Sequence, residues 1–306
     1  MKRLTTRILT FLPVAVAGYL LLLWLLGDMG WVRTANTRMG ATDHLCTRVK
    51  EIPSYHDVDV LFLGSSHSYR TFDTRFYQSH GISCFNLGSS NQTPTQTLVL
   101  LHAYLDSLSP RQVVFEVHPD IMNHDGVESA VGLLANVPLT PAMTRMALSM
   151  GNMKVVNTWL YALWNQRILH RLDDFVEDSV IQNTVYVSGG YVEVTKKSFE
   201  RKRYPRKNLT IDPRQLDALK ECLSMLKERN IPYLLVEVQD AYQLRKTYLN
   251  HDWFEQQMRQ LGPYRYKVLP MEDTIHFSNS NHLFKPGIEM FNEDFLPDLK
   301  LLISNL

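Results

Sequence analysis

An α/β fold is predicted here: a three-layer sandwich around a mostly parallel sheet of five strands. Three observations carry that prediction. Short apolar runs rich in β-branched residues recur along the chain, amphipathic helical segments separate them, and the runs close on turns rich in Gly, Ser, Asn or Pro. Such alternation builds parallel sheets with right-handed crossovers and helices on both faces.

The first strand is the run 58–63, followed by Gly64-Ser65-Ser66-His67 as a turn into a helix. Residues 71–80 read as a short helix, with Phe72, Phe76 and Tyr77 at helical spacing. A second strand at 82–87 leads into the loop Gly88-Ser89-Ser90-Asn91-Gln92-Thr93-Pro94. Leu98, Leu101, His102 and Leu105 mark a helix over 95–107, stopped before Pro110, and 112–117 is a third strand. Residues 118–210 break the rhythm and read as an insertion: largely helical over 138–174, then a hairpin over 184–194 about Ser188-Gly189-Gly190. The alternation resumes with a helix that Pro213 opens, a strand at 231–238, a helix over 241–261, a strand at 266–269 and a last helix over 286–303.

With 306 residues and a net charge of +1, the chain has no field that argues for nucleic acid. Cys46, Cys84 and Cys222 are odd in number and widely spaced, which suits neither a disulfide framework nor a CxxC site. Residues 8–26 carry no charge and are long enough to cross the ~30 Å hydrocarbon layer. Lys2, Arg3 and Arg7 precede this run and favour an N-terminus left in the cytoplasm. No small-x-small cleavage site follows Gly27, which favours an uncleaved anchor over a signal peptide. The expected organisation is a cytoplasmic tip and transmembrane anchor over 1–30, a stalk over 31–57, and an extracytoplasmic α/β domain over 58–306 with its insertion at 118–210.

A serine at the end of a parallel strand sits where open α/β sheets keep their ligands. A hydroxyl attacks poorly until a base takes its proton, so Ser66 needs an imidazole in contact. The turn Asn279-Ser280-Asn281-His282, just before the last helix, offers one. The N–H of Ser66 and backbone donors of the 88–94 loop are the candidates for stabilising a developing oxyanion. His67 and His118 are accessory candidates, and the spacings of His67, His118, His276 and His282 fit no zinc motif.

Gly64-Ser65-Ser66 and Asn279-Ser280-Asn281-His282 followed by Gly287 resemble the SGNH/GDSL superfamily of esterases and acyltransferases. The likeness is closest to its membrane-anchored branch of polysaccharide O-acetyltransferases and D-alanyl transfer proteins. It covers 58–94 and 275–296 and is weak across 118–230. The resemblance implies a flavodoxin-like sheet, Ser66 as nucleophile, His282 as base, and an oxyanion hole from Ser66, Gly88 and Asn91. It implies no organic cofactor and no metal, an acyl-bearing glycan or other surface polymer as substrate, a membrane acyltransferase as partner, and a periplasmic or cell-surface location. Two departures stand out. Asn279 occupies the place of the family's acid, leaving Asp273, Glu237 or a backbone carbonyl as substitutes. The family's third block, Gly-x-Asn-Asp, is absent, and strand three ends instead in Glu116-Val117-His118-Pro119-Asp120. A catalytically degenerate domain that binds glycan or scaffolds an envelope complex is the alternative expectation.

Overall fold

In the computed structural model the described residues are 2–28, 39–40 and 43–304. Most of the expected stalk before residue 43, with Arg33 and Arg38, lies outside them. Among the described residues eight strands occur: β1 (Val60–Leu63), β2 (Cys84–Asn86), β3 (Gln112–Glu116), β4 (Val180–Ile181), β5 (Thr184–Val187), β6 (Tyr191–Val194), β7 (Tyr233–Glu237) and β8 (Tyr264–Tyr266). Five form a parallel sheet in the order β2-β1-β3-β7-β8, and β4-β5-β6 form a small antiparallel one. The sheet reverses its winding between β1 and β3, and the crevice at such a point is where doubly wound sheets bind ligands.

The helices are α1 (Lys2–Asp28), α2 (Leu45–Glu51), α3 (Ser66–Tyr69), α4 (Thr74–Ser79), α5 (Pro94–Leu108), α6 (Pro119–Met122), α7 (Val127–Asn136), α8 (Pro141–Ser149) and α9 (Met153–Leu163). A π-helical segment, Trp164–Ile168, continues α9. After it come α10 (Arg171–Asp174), α11 (Pro213–Glu228), α12 (Tyr242–Arg245), α13 (His251–Leu261), α14 (Asp273–His276) and α15 (Lys285–Ser304).

Strand alternation sorts the core into two layers. Leu61, Leu63, Phe85, Val113, Phe115 and Leu235 face α5, α11 and α13. Val60, Phe62, Cys84, Val114 and Val236 face the other way, onto Phe72, Tyr77 and the α15 side chains Phe291, Phe295 and Leu299. This is the predicted three-layer sandwich.

Three expectations need correction. The stalk does not run to residue 57: Leu45, Cys46, Val49 and Ile52 are buried, so α2 belongs to the domain. The helix expected over 241–261 is broken, because Lys207 bridges to residue 248 and its N–H and C=O bond Thr247 and Leu249. The fifth strand falls at Tyr264–Tyr266, where it registers with Leu235–Glu237. The hairpin β5–β6 is as expected, and the insertion adds α7, which is buried nearly all round and shows no stripe.

Candidate active site

β1 delivers the first half of the site. Leu63 is followed by Gly64 at φ 129°, where an added Cβ would stand 2.5 Å from Glu116 Oε2 and 2.9 Å from the Glu116 carbonyl oxygen. Glycine lets the chain turn beneath β3. Ser65 caps α3, its Oγ accepting the His67 N–H, and Ser66 is the first helical residue. The Ser66 N–H, at that position, has no acceptor among the described residues.

The second half is a tight turn closed by Ser278 N–H donating to the His282 carbonyl at 2.9 Å. Asn279 Oδ1 organises it, accepting from the N–H groups of Asn281 at 3.1 Å and His282 at 2.9 Å, and from the His282 ring at 3.1 Å. The other ring nitrogen, Nε2, lies 2.7 Å from Ser66 Oγ, across 216 residues of sequence. Ser66, His282 and Asn279 are therefore brought together in one hydrogen-bonded line.

Burial, then the nearby Arg70 and His118, push His282 down to about 3 against a weaker pull from Asp43. Part of the ring still meets solvent, which tempers the desolvation but not its direction. The neutral ring with Nδ1–H on Asn279 leaves Nε2 as acceptor for the Ser66 hydroxyl.

His67 and His118 join the site as a stack. Ring centroids are 3.9 Å apart between His67 and His118, with planes at 9°, and 4.8 Å apart between His67 and His282, with planes at 15°. Burial opposes charge on His118, but the Asp240 carboxylate 3.1 Å from Nε2 overcomes it and holds His118 up to about 9. Tyr248 donates to the same carboxylate at 2.6 Å. The Asp120 N–H approaches His118 Nδ1 at 3.3 Å, a contact that belongs to the neutral ring. At that length it is weaker than the buried ion pair, so the charged form prevails. Burial and the two flanking rings keep His67 neutral.

A second polar line runs beside the first, and the sequence did not disclose it. Ser65 donates from N and from Oγ to Glu116 Oε2, both at 2.8 Å, and Ser65 Oγ lies 3.0 Å from His67 Nδ1. Burial raises Glu116 to about 7. The Nε2 of His67 makes no close hydrogen bond among the described residues, the Asn281 backbone being its nearest polar influence.

Other expected participants are placed elsewhere. The Gly88 N–H is committed to Asn86 Oδ1 at 3.0 Å, so it is not free for an oxyanion. Asn91, at φ 48°, stays half-buried in the β2–α5 loop with no hydrogen bond to Ser66 or His282. Neither proposed substitute acid stands behind His282. Asp273 accepts the Tyr242 and Gln243 N–H groups at the start of α12. Glu237 takes His251 at 2.7 Å and Tyr264 at 2.5 Å. His67, His118 and Asp240 hold ligand atoms within 4.8 Å of one another. The stacked rings keep their in-plane lone pairs side by side rather than converging, so the trio is a poor donor set for one ion. A cavity of about 730 Å³ lies by Gly27, Tyr161 and residues 175–182, and none of its lining belongs to this site.

No family model and no curated protein matches the chain. Among solved structures it is similar to a proposed acylhydrolase from Bacteroides fragilis NCTC 9343, at 13% identity and a TM-score of 0.41, over 83% of this chain and 95% of that one. A likeness of that size assigns nothing to this chain.

Proposed function

We propose that this protein is a membrane-anchored serine esterase or O-acyltransferase that works through an acyl-Ser66 intermediate. The observation that carries the proposal is the 2.7 Å contact between Ser66 Oγ and His282 Nε2 at the strand ends flanking the crossover point of the sheet. Ser66 Oγ attacks the acyl carbonyl while its proton passes to His282 Nε2. Asn279 Oδ1 faces the imidazolium that forms, and the Ser66 N–H faces the oxyanion. His282 then returns the proton to the departing alkoxide, and the Ser66 ester is left. A second hydroxyl, from water or from a sugar, repeats the sequence in reverse and takes the acyl group.

The tether supports transfer to a surface polymer. Leu9–Gly27 is a helix of 19 residues, apolar and long enough to cross a membrane. A domain held at the bilayer is placed to receive acyl groups from a membrane acyltransferase and pass them to a glycan. A degenerate, glycan-binding domain is the second reading, and one observation favours it: Arg70 and His118 both disfavour charge on His282, and the Asp43 carboxylate offsets them only weakly.

Mass spectrometry after incubation with a small acetyl ester tests the proposal, with fluorophosphonate labelling as its companion. Acetyl or phosphonyl adducts on Ser66, lost in Ser66→Ala and reduced in His282→Ala, are expected. Folded wild-type protein that takes up neither label would establish the binding module instead.

A further inference from the structure

We propose that α9 and the π-helical turn after it lie within the bilayer leaflet on the domain's side, next to α1, with lipid acyl chains filling the groove between them. The proposal rests on α1 crossing the membrane and goes beyond that reading, because it places part of the folded domain inside the lipid.

Three contacts fix α1 against this segment. Tyr19 donates to Asn157, the Trp24 and Trp164 ring centroids are 3.9 Å apart, and Gly27 abuts the Tyr161 ring so closely that a Cβ would stand 2.2 Å from it. Tyr19 lies eight residues before Gly27, which is about 12 Å along the axis at 1.5 Å per residue.

The apolar stretch has no length to spare. Its 19 residues reach about 28 Å, against a hydrocarbon layer of ~30 Å. Lifting α1 until the Tyr19 contact cleared the lipid would leave only Leu9 to Gly18 in the membrane. That remainder is about 15 Å, half of what a span needs. So if α1 spans, α9 must enter the leaflet beside it.

The side chains suit that position. A groove of about 620 Å³ separates the two elements, lined by Leu20, Leu21 and Trp24 on one side and Leu160, Leu163 and Ile168 on the other. Ile168 is 59% exposed and Met153 65% exposed, on a segment that already buries Val155 and Tyr161 against the domain. The open side also carries Lys154 and Arg167, the latter lining the groove and donating to the Leu139 carbonyl, and long basic side chains of this kind reach from a leaflet to its headgroups. Inside the leaflet, Tyr19 and Asn157 satisfy one another, as polar groups in hydrocarbon must. The two tryptophans fall near the boundary, where indoles concentrate.

The test uses the full chain in phospholipid nanodiscs, spin-labelled singly at Leu22→Cys, Ile168→Cys or Leu249→Cys. These positions are 58%, 59% and 57% exposed, and the three native cysteines are buried, so the unsubstituted chain serves as blank. Relative relaxation by oxygen and by a water-soluble nickel chelate reports depth. The oxygen-to-nickel ratio at Ile168 should match that at Leu22 and exceed that at Leu249. A nickel-accessible Ile168 beside an oxygen-rich Leu22 overturns the proposal while leaving α1 as a span. A nickel-accessible Leu22 overturns the span itself, and the proposal with it.

Discussion

Exchanging Asn279 for Asp returns a carboxylate to the His282 ring without disturbing the turn. Oδ1 already accepts all three donors that face it, and Nδ2 donates to none of the described residues, so Asp fits the same place. The imidazolium formed in the transition state then faces a charge instead of a dipole. With charge centres about 4 Å apart and an effective dielectric near 20, the attraction is about 4 kcal/mol, an upper figure for a half-buried ring. A charge-assisted hydrogen bond exceeds a neutral one by about 1 to 1.5 kcal/mol, which sets the lower figure. At about 1.4 kcal/mol per decade, Asn279→Asp should raise kcat/KM roughly tenfold to a thousandfold. The sign of the pH effect follows. His282 is neutral in the wild type at any pH well above about 3, so it contributes no loss of activity between pH 8 and 5. The new carboxylate raises its pKa, and activity should fall in acid at a higher pH than before. Hydrolysis of a chromogenic acetyl ester measures both, with Ser66→Ala in each background as the blank. A folded Asn279→Asp variant that is no faster, with an unmoved acid limb, would refute the assignment of His282 as base.

Three further outcomes are expected. Glu116 has an ordinary value of 4.5 and is raised to about 7 in the fold, so wild-type stability should decline as pH rises from 4.5 and level off above about 7. Glu116→Gln removes that slope, worth up to about 3 kcal/mol at pH 8, and urea melts with equal slopes for the two proteins would contradict it. Gly64→Ala forces a Cβ against Glu116 from a backbone region that alanine avoids, so a loss of about 3 kcal/mol or more in thermal melts is expected; a wild-type melting curve would disprove the crowding. Asp240→Asn withdraws the partner that keeps His118 charged, so His118 should titrate well below 9 by ring-proton NMR and His282 should titrate higher. An unmoved His118 resonance would rule out the Asp240 pairing.

How legible this was in the sequence depends on the distance over which each residue's role is decided. β1, its glycine turn and the hairpin at Gly189-Gly190 are local matters of chain conformation, and the pattern of residues predicts them. The meeting of Ser66 with His282 is legible in two short turns, one closing β1 and one between α14 and α15, through the family that they resemble. The Glu116–Ser65 contact depends on register: Leu63 pairs with Phe115, which sets Glu116 beside Gly64 and Ser65. No pattern within β3 announces that. Asp240 meets His118 for the same kind of reason, β7 lying next to β3. Gly88 is a donor candidate by its place in the loop alone, and the Asn86 side chain, reaching two residues forward to its N–H, decides against it. The 43–57 segment lacks a long apolar run, so nothing in its pattern shows that α2 buries Leu45, Cys46 and Val49 and that the turn after it buries Ile52.

The three stacked imidazoles explain how an asparagine can stand where a carboxylate is expected. Rings this close do not share the burden of charge: one proton excess on the stack discourages a second. Asp240 draws that excess to His118, at the end farthest from Ser66, and His67 separates it from His282. Burial first, then Arg70 and the charged His118, keep His282 neutral in the resting protein, and a neutral ring needs no anion to hold it. A single amide oxygen selects the Nδ1–H tautomer and aims Nε2 at the serine. What Asn279 cannot supply is attraction for the proton once it arrives, so the resting geometry is that of a serine hydrolase while the cost of charging the base remains high. An active enzyme and a binding domain would share this ground state. They would differ in one quantity, the free energy of His282 protonation beside Arg70 and His118, and that is the quantity the Asn279 and Asp240 substitutions move from opposite ends of the stack.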